Sequence, residues 1–280
     1  MNLSMIFKRI LNSIKDHGIK NSFLLILSNI FFGDYLSFRR KIISQRFKAA
    51  NGERILYGHF VKMRLPKTSF WNSIDHPSIL LGLYEREVLD VIVDLCINKN
   101  KNLFINIGAA DGYFAVGLLK NSFVDKSICY ELTKEGRDSI KLNCELNHID
   151  NSKIIIRGKA CPGFHIDLPD DLTSAIILID IEGFEFELLT QDALRSIMDA
   201  IIIIELHPHM NLNGEAELLN LIKRAEKLYN VNFISPGFRN PHEFSELNNF
   251  SDNDKWLLCS EGRAVRMDWM VLSPLQMIAH

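Results

Sequence analysis

The chain reads as an α/β protein built on a mainly parallel sheet, and three features predict this. Short β-branched runs alternate with helical patterns from about residue 84 to residue 229. Glycine follows directly on the first of these runs. Beyond residue 230 the spacing changes to strand-like stretches separated by loops. Strands of four to six apolar residues joined by helices are the pattern of a sheet buried on both faces.

Element by element, a helix is expected from Tyr84 to Cys96, with Val88, Leu89, Val91, Ile92 and Leu95 on its buried side. Strands are expected at Leu103–Ile107, Ser127–Tyr130, Lys153–Ile156, Ala175–Asp180 and Ala200–Glu205. Helices through Ala115–Lys120, Thr133–Asn147, Phe184–Ile197 and Glu215–Tyr229 separate or follow them. In the tail, Val231–Ile234, Lys255–Cys259 and Arg266–Leu272 read as strands.

The front of the chain differs. Leu3, Ile6, Phe7, Ile10, Leu11 and Ile14 fall at helical spacing and form one apolar stripe, with Lys8, Arg9 and Lys15 off it. A second apolar stretch, Phe23–Phe32, precedes the basic run Arg39-Arg40-Lys41. Residues 61–82 carry Pro66 and Pro77 and read as an irregular connector. Residues 1–64 hold 12 Lys/Arg against three Asp/Glu, whereas the rest hold 20 against 31. Residues 1–66 are therefore expected to form a basic helical extension, and residues 67–280 the main domain. The extension could lie on an anionic membrane surface or dock its stripe on protein.

Composition narrows the class. An apolar fraction of 47% with 24% charged residues supports a sizeable core. The five cysteines, Cys96, Cys129, Cys144, Cys161 and Cys259, show no metal-binding spacing and no disulfide framework, which suits a reducing, cytoplasmic setting. No apolar run reaches the length of a membrane span, and the first residues lack the order of a signal peptide. The acidic main domain carries no nucleic-acid footprint.

Two stretches carry the chemistry. Leu103-Phe-Ile-Asn-Ile-Gly-Ala-Ala-Asp-Gly-Tyr-Phe114 runs a buried strand into Gly108 and opens a helix at Gly112, where a ligand can approach the backbone. Glu131 ends the next strand, 19 residues beyond Gly112, and is placed to accept from ribose hydroxyls. NAD, FAD or S-adenosylmethionine would each suit this pair. Farther on, Asp180, Glu182 and Glu185 cluster around Gly183, while Glu205, His207 and His209 follow the fifth strand. Ligands in open α/β sheets bind beyond the carboxyl ends of the strands, so these groups face one crevice. Carboxylates beside imidazoles could deprotonate an alcohol, and Asp180 and Glu205 could share one Mg²⁺.

Across residues 80–275 the chain resembles the FkbM-type methyltransferases. The likeness rests on Gly82-Leu-Tyr-Glu85, Ile105-Asn-Ile-Gly-Ala-Ala-Asp-Gly-Tyr113, Tyr130-Glu131, Ile179-Asp-Ile-Glu-Gly-Phe-Glu185 and Ile203-Ile-Glu-Leu-His-Pro208. The resemblance implies a Rossmann-like class I methyltransferase fold with a seven-stranded sheet. It also implies S-adenosylmethionine as donor, and O-methylation of a hydroxyl on a sugar, glycan or small natural product. The cofactor set implied is Glu85, Asn106, Gly108, Ala109, Ala110, Asp111, Gly112 and Glu131; the catalytic set expected is Asp180, Glu182, Glu205 and His207. Asn106 and Ala110 stand where the family usually has Asp and Asn. A binding or scaffold protein that kept the fold without turnover is the alternative reading.

Overall fold

The computed structural model describes residues 19, 35–66, 76–263 and 265–275. The stripe Leu3–Ile14 and the stretch Phe23–Phe32 lie outside the described residues. Seven strands form one sheet: β1 (Leu103–Ile107), β2 (Lys126–Tyr130), β3 (Ile154–Arg157), β4 (Ala175–Ile179), β5 (Ile201–Glu205), β6 (Tyr229–Ile234) and β7 (Trp269–Pro274). Their order is β3-β2-β1-β4-β5-β7-β6. The first five are parallel, and β7 runs antiparallel to both β5 and β6.

Pleating sends alternate residues to opposite faces, so the β-branched runs bury both sides. Phe104, Ile176, Leu178 and Ile203 join one core cluster. Ile105, Ile107, Ile177, Ile179, Ile202 and Ile204 join the other. Register then aligns the strand ends. Ile107 pairs with both Tyr130 and Ile179, and Ile179 pairs with Ile204. Asp180 and Glu205 therefore leave adjacent strands at the same level.

The helices are α1 (Tyr35–Asn51), α2 (His76–Leu80), α3 (Arg86–Asn98), α4 (Tyr113–Lys120), α5 (Lys134–Asn147), α6 (Glu185–Leu188), α7 (Gln191–Ser196), α8 (Gly214–Ala225) and α9 (Asp252–Cys259). Thr133 caps α5 by accepting from the Gly136 N–H. Four expectations change. The Lys255–Cys259 strand is instead the second half of α9, because the Ser251 hydroxyl caps the Asp254 N–H and Asp252 and Asp254 favour a helix start. The single helix over Phe184–Ile197 breaks into α6 and α7, where the Thr190 hydroxyl accepts from the Ala193 N–H. The helix expected to reach Tyr229 stops at Ala225, and Tyr229 opens β6 with its hydroxyl on the Leu194 carbonyl at 2.9 Å. The connector over 61–82 contains α2.

Residue 66 does not separate two cores. Ile43, Phe47, Ile55, Phe60, Met63 and Leu65 belong to the same cluster as Phe104 and Ile176. Phe60 packs so tightly on α4 that a Cβ at Gly117 would stand 2.4 Å from its ring. Basic residues of α1 meet the C-terminal part: Arg39 forks onto Asp254 at 2.7 and 2.9 Å, and Arg46 lies over the Phe250 ring at 4.8 Å. That part of the positive surplus serves docking on protein. No described helix is long and apolar enough to cross a membrane.

Phe47 is fully buried. Phe47→Ala is expected to destabilise the whole domain by about 3–5 kcal/mol in one cooperative urea transition. A main transition left in place would show that α1 is an independent appendage.

Candidate functional site

The site begins where β1 ends. Gly108 has φ +85°, and a Cβ there would stand 1.7 Å from the Asp180 carbonyl oxygen. No side chain fits, and the Asp180 N–H donates to the Ile107 carbonyl at 2.9 Å to hold the two turns together. The Gly108 and Ala109 N–H groups both donate to the Tyr130 carbonyl at 2.9 Å. The turns after β1, β2 and β4 are thus bound edge to edge.

Two cavities open on either side of this turn. One, about 110 Å³, is lined by Tyr84, Glu85, Asn106, Ala109, Asp111 and Tyr113 among others. The second, about 360 Å³, is lined by Tyr130, Glu131, Leu132, Lys159, Ile181 and Phe184 among others. Gly108, Ala110 and Asp180 border both. Of the eight residues expected to hold a cofactor, seven line these walls. Gly112 does not: it opens α4 with φ +82° and packs toward Ile140 and Val116.

Glu131 is buried in the second cavity and already oriented. One carboxylate oxygen accepts from the Ala110 N–H at 3.0 Å. The other accepts from the Thr133 N–H at 2.8 Å and the Thr133 hydroxyl at 2.7 Å. A Cβ at Gly136 would come within 2.6 Å of the Glu131 side chain, so the glycine clears its place. Three of about four acceptor positions are used, leaving capacity toward the cavity. In the first cavity Asp111 accepts from the Tyr113 N–H at 3.1 Å, and burial pushes its carboxyl up to about 6. Burial also lowers His76, on the same wall, to about 4.

Beyond Gly108 the acids converge. His207 follows β5, is wholly buried, and stands among four carboxylates. Its Nε2 lies 3.3 Å from Glu205, 3.6 Å from Glu182 and 3.7 Å from Asp180, while Nδ1 lies 3.5 Å from Glu185. The four residues expected to be catalytic thus meet, but unequally. Asp180 and Glu182 border open space, whereas Glu205 and His207 sit behind them.

The electrostatics follow from crowding. Burial, then the charges of Glu205 and Glu85, raise Asp180 well above the carboxylate range. Burial and Glu205 push Glu85 up to about 8 against the pull of Arg263. Burial also opposes charge on Glu205, but His207 and Arg263 outweigh it and hold that group low. For His207 burial works against the cation, yet Glu185 and Glu205 raise it to about 10.

Several members had no signal in the sequence. Arg263 bridges Glu85 and Glu205 and donates to Glu261 at 2.9 Å; Arg239 joins Glu261 at 3.1 Å and Glu87 at 2.8 Å. These arginines lie in tail loops whose spacing predicts no partner. Glu185, noted only as part of an acidic cluster, accepts from the Gly183 N–H at 2.8 Å and the His207 N–H at 2.9 Å. It pins the turn after β4 to the turn after β5. Among the described residues with positive φ that are not glycine, Glu85 (+46°), Ala110 (+56°) and Glu182 (+52°) all border the cleft. Such strain gathers at functional sites.

The strand order, with five parallel strands and an antiparallel pair at one edge, is the Rossmann-like class I methyltransferase fold. Solved structures similar to the chain include a precorrin-6y C5,15-methyltransferase from Geobacter metallireducens (12% identity, 68% of this chain and 89% of that one, TM-score 0.45). A precorrin 8w decarboxylase from Methanobacterium thermoautotrophicum is similar at 15% identity, 67% and 90% coverage and TM-score 0.42. A ribosomal protein L11 methylase from Lactobacillus delbrueckii subsp. bulgaricus is similar at 14%, 65% and 77%, with TM-score 0.40. No family model matches the chain, and no curated protein matches it.

Asp111 supplies a pH test. Its carboxyl is raised from 3.8 to about 6, so between these values the folded chain keeps a proton that the unfolded chain releases. Stability then falls as pH rises through this window. Asp111→Asn retains an oxygen for the Tyr113 N–H and removes the charge. The variant is expected to gain on the native protein between pH 4 and pH 7 by no more than about 3 kcal/mol in denaturant titrations. A pH-independent difference would place the burial cost elsewhere.

Proposed function

We propose that the protein is an S-adenosylmethionine-dependent methyltransferase acting on a hydroxyl of a sugar, glycan or small natural product. The observation that carries this reading is the cleft divided by the Gly108–Ala110 turn, acidic on both sides. Glu85, Asp111, Asp180, Glu131 and Glu182 border it, and among the described residues Lys159 is the one Lys or Arg lining its two cavities. Carboxyl groups in these positions offer acceptors to the ammonium and hydroxyl groups of an adenosine-bearing ligand, and the described lining gives the pyrophosphate of a dinucleotide little to pair with. The resemblance to the FkbM-type methyltransferases supports the hydroxyl acceptor.

The residues fit the cofactor. The Cβ-free turn at Gly108 lets a ligand lie against backbone, and Glu131 keeps acceptor capacity for ribose hydroxyls. Glu85, Asn106 and Asp111 would face its amino-acid end, in the narrower cavity. S-adenosylmethionine, when bound, supplies a methyl group on a positively charged sulfur. Asp180 and Glu182 stand at the open edge, where either can take the proton of an acceptor hydroxyl. Burial and the neighbouring charges of Glu205 and Glu85 raise Asp180 well above the carboxylate range, so its ionised form is the stronger base. Glu205 and His207 would tune it from behind.

Calorimetric titration tests the first half. Glu131→Ala is expected to weaken S-adenosylmethionine binding by about 1–3 kcal/mol, with the circular dichroism spectrum unchanged. Undiminished affinity would mean the ribose is held elsewhere, and NAD binding in place of S-adenosylmethionine would overturn the reading.

Transfer of a labelled methyl group to hydroxyl acceptors tests the second half. Asp180→Asn is expected to lower turnover by about 10²–10⁴-fold while leaving cofactor affinity nearly intact. Tight cofactor binding with no transfer by the native chain to any sugar or phenol would point to a scaffold instead.

A further inference from the structure

His207 is the least explained group in the cleft. Its ring is wholly buried among four carboxylates, yet among the described residues neither Nδ1 nor Nε2 makes a hydrogen bond, and the nearby buried Asp180 Oδ1 has no hydrogen-bond partner either. Unpaired polar atoms in such a place are destabilising unless something else satisfies them. Ion pairing at 3.3–3.7 Å supplies opposite charge around the imidazole but gives neither ring nitrogen a hydrogen bond among the described residues.

We propose that Asp180, Glu205 and His207 form a binding site for one divalent transition-metal ion of the Mn²⁺ or Zn²⁺ kind. One donor atom from each residue falls in a set whose members lie within 4.8 Å of one another. Ligands about 2.0–2.2 Å from a shared ion stand about 3–4 Å apart, which is the spacing of His207 to Glu205 and to Asp180. Glu205 offers the oxygen that faces His207, because its other oxygen is taken by Arg263. Glu182 approaches Nε2 from the solvent side at 3.6 Å and is largely exposed, leaving a position that can open to the cleft.

The surroundings of the histidine match this role. A metal-bound imidazole donates its other N–H to a carboxylate, which sets tautomer and ring orientation. Glu185, fully buried, stands 3.5 Å from Nδ1 and is itself fixed by the Gly183 and His207 N–H groups. Nε2 is thereby left to face Asp180 and Glu205. An imidazole nitrogen beside two carboxylates selects an ion softer than Mg²⁺, which prefers oxygen and water. This differs from the Mg²⁺ held by Asp180 and Glu205 that the sequence suggests. The inference does not rest on the methyl-transfer reading, because metal binding is measured on the chain alone.

The test is equilibrium dialysis of the full-length protein, stripped with EDTA, against MnCl₂ and separately ZnCl₂, with Mn²⁺ paramagnetic resonance as a second readout. The expected result is one ion per chain, displaced by Zn²⁺ but not by tenfold excess Mg²⁺. Asp180→Asn and Glu205→Gln, which keep shape, are each expected to weaken binding at least tenfold, as is the positioning variant Glu185→Gln. Glu187→Gln, an exposed carboxylate on α6, should change nothing. Less than 0.2 equivalents bound at about 1 mM of either ion, or equal binding by native protein and Asp180→Asn, would overturn the proposal; so would equal competition by Mg²⁺. If Asp180→Asn does not fold, Glu185→Gln decides alone, since it removes a charge beside Nδ1 without touching a ligand.

Discussion

The contact on which the cleft depends is between two backbones: the turn after β1 lies against the turn after β4 with no side chain between them. Only a residue without a Cβ fits at Gly108, because any other would enter the Asp180 carbonyl. The parallel pairing of β1 with β4 brings the two turns to one level, and the Asp180 N–H bonds them. Everything functional hangs from this seam. It divides the crevice into two cavities, exposes the backbone to a ligand, and sets Asp180 on the border of both.

A second constraint is charge. The ends of β4 and β5 and the turn before α3 bring Asp180, Glu205 and Glu85 together, with Glu85 and Glu205 buried. Carboxylates crowded this way cannot all ionise without a counter-charge. The fold answers with Arg263, which reaches Glu85 and Glu205 from the tail, and with His207 between Asp180 and Glu185. The backbone at Glu85, Ala110 and Glu182, all bordering the cleft, is left-handed. Each residue adopts a conformation that costs about 1–2 kcal/mol outside glycine, and the packing around it must hold it there.

The segment before residue 66 belongs to this balance. α1 lays Ile43 and Phe47 into the core and directs Arg39 and Arg46 at the C-terminal part, where Asp254 and Phe250 receive them. Charge asymmetry along a chain is thus resolved here within the molecule as well as at its surface.

Much of this was legible in order along the chain. The β-branched runs determine a buried sheet, since such residues pack on both pleated faces, and their alternation with helices determines that it is mainly parallel. Gly108, Glu131 and the acids after β4 and β5 are readable as a site, because strand ends are where an open α/β sheet leaves room. Local signals failed where partners are distant. The tail segment at Lys255–Cys259 is apolar enough for a strand, and the Ser251 cap with the Arg39–Asp254 pair makes it a helix. Phe184–Ile197 has helical period throughout, yet Glu185 is drawn toward the His207 N–H and the helix restarts at Thr190. Arg263, 58 residues from Glu205, becomes its partner only when β7 pairs with β5. Short-range periodicity records which face a residue shows to the core; it holds no record of which charges the folded sheet brings together, because that is set by pairing between strands far apart in the chain.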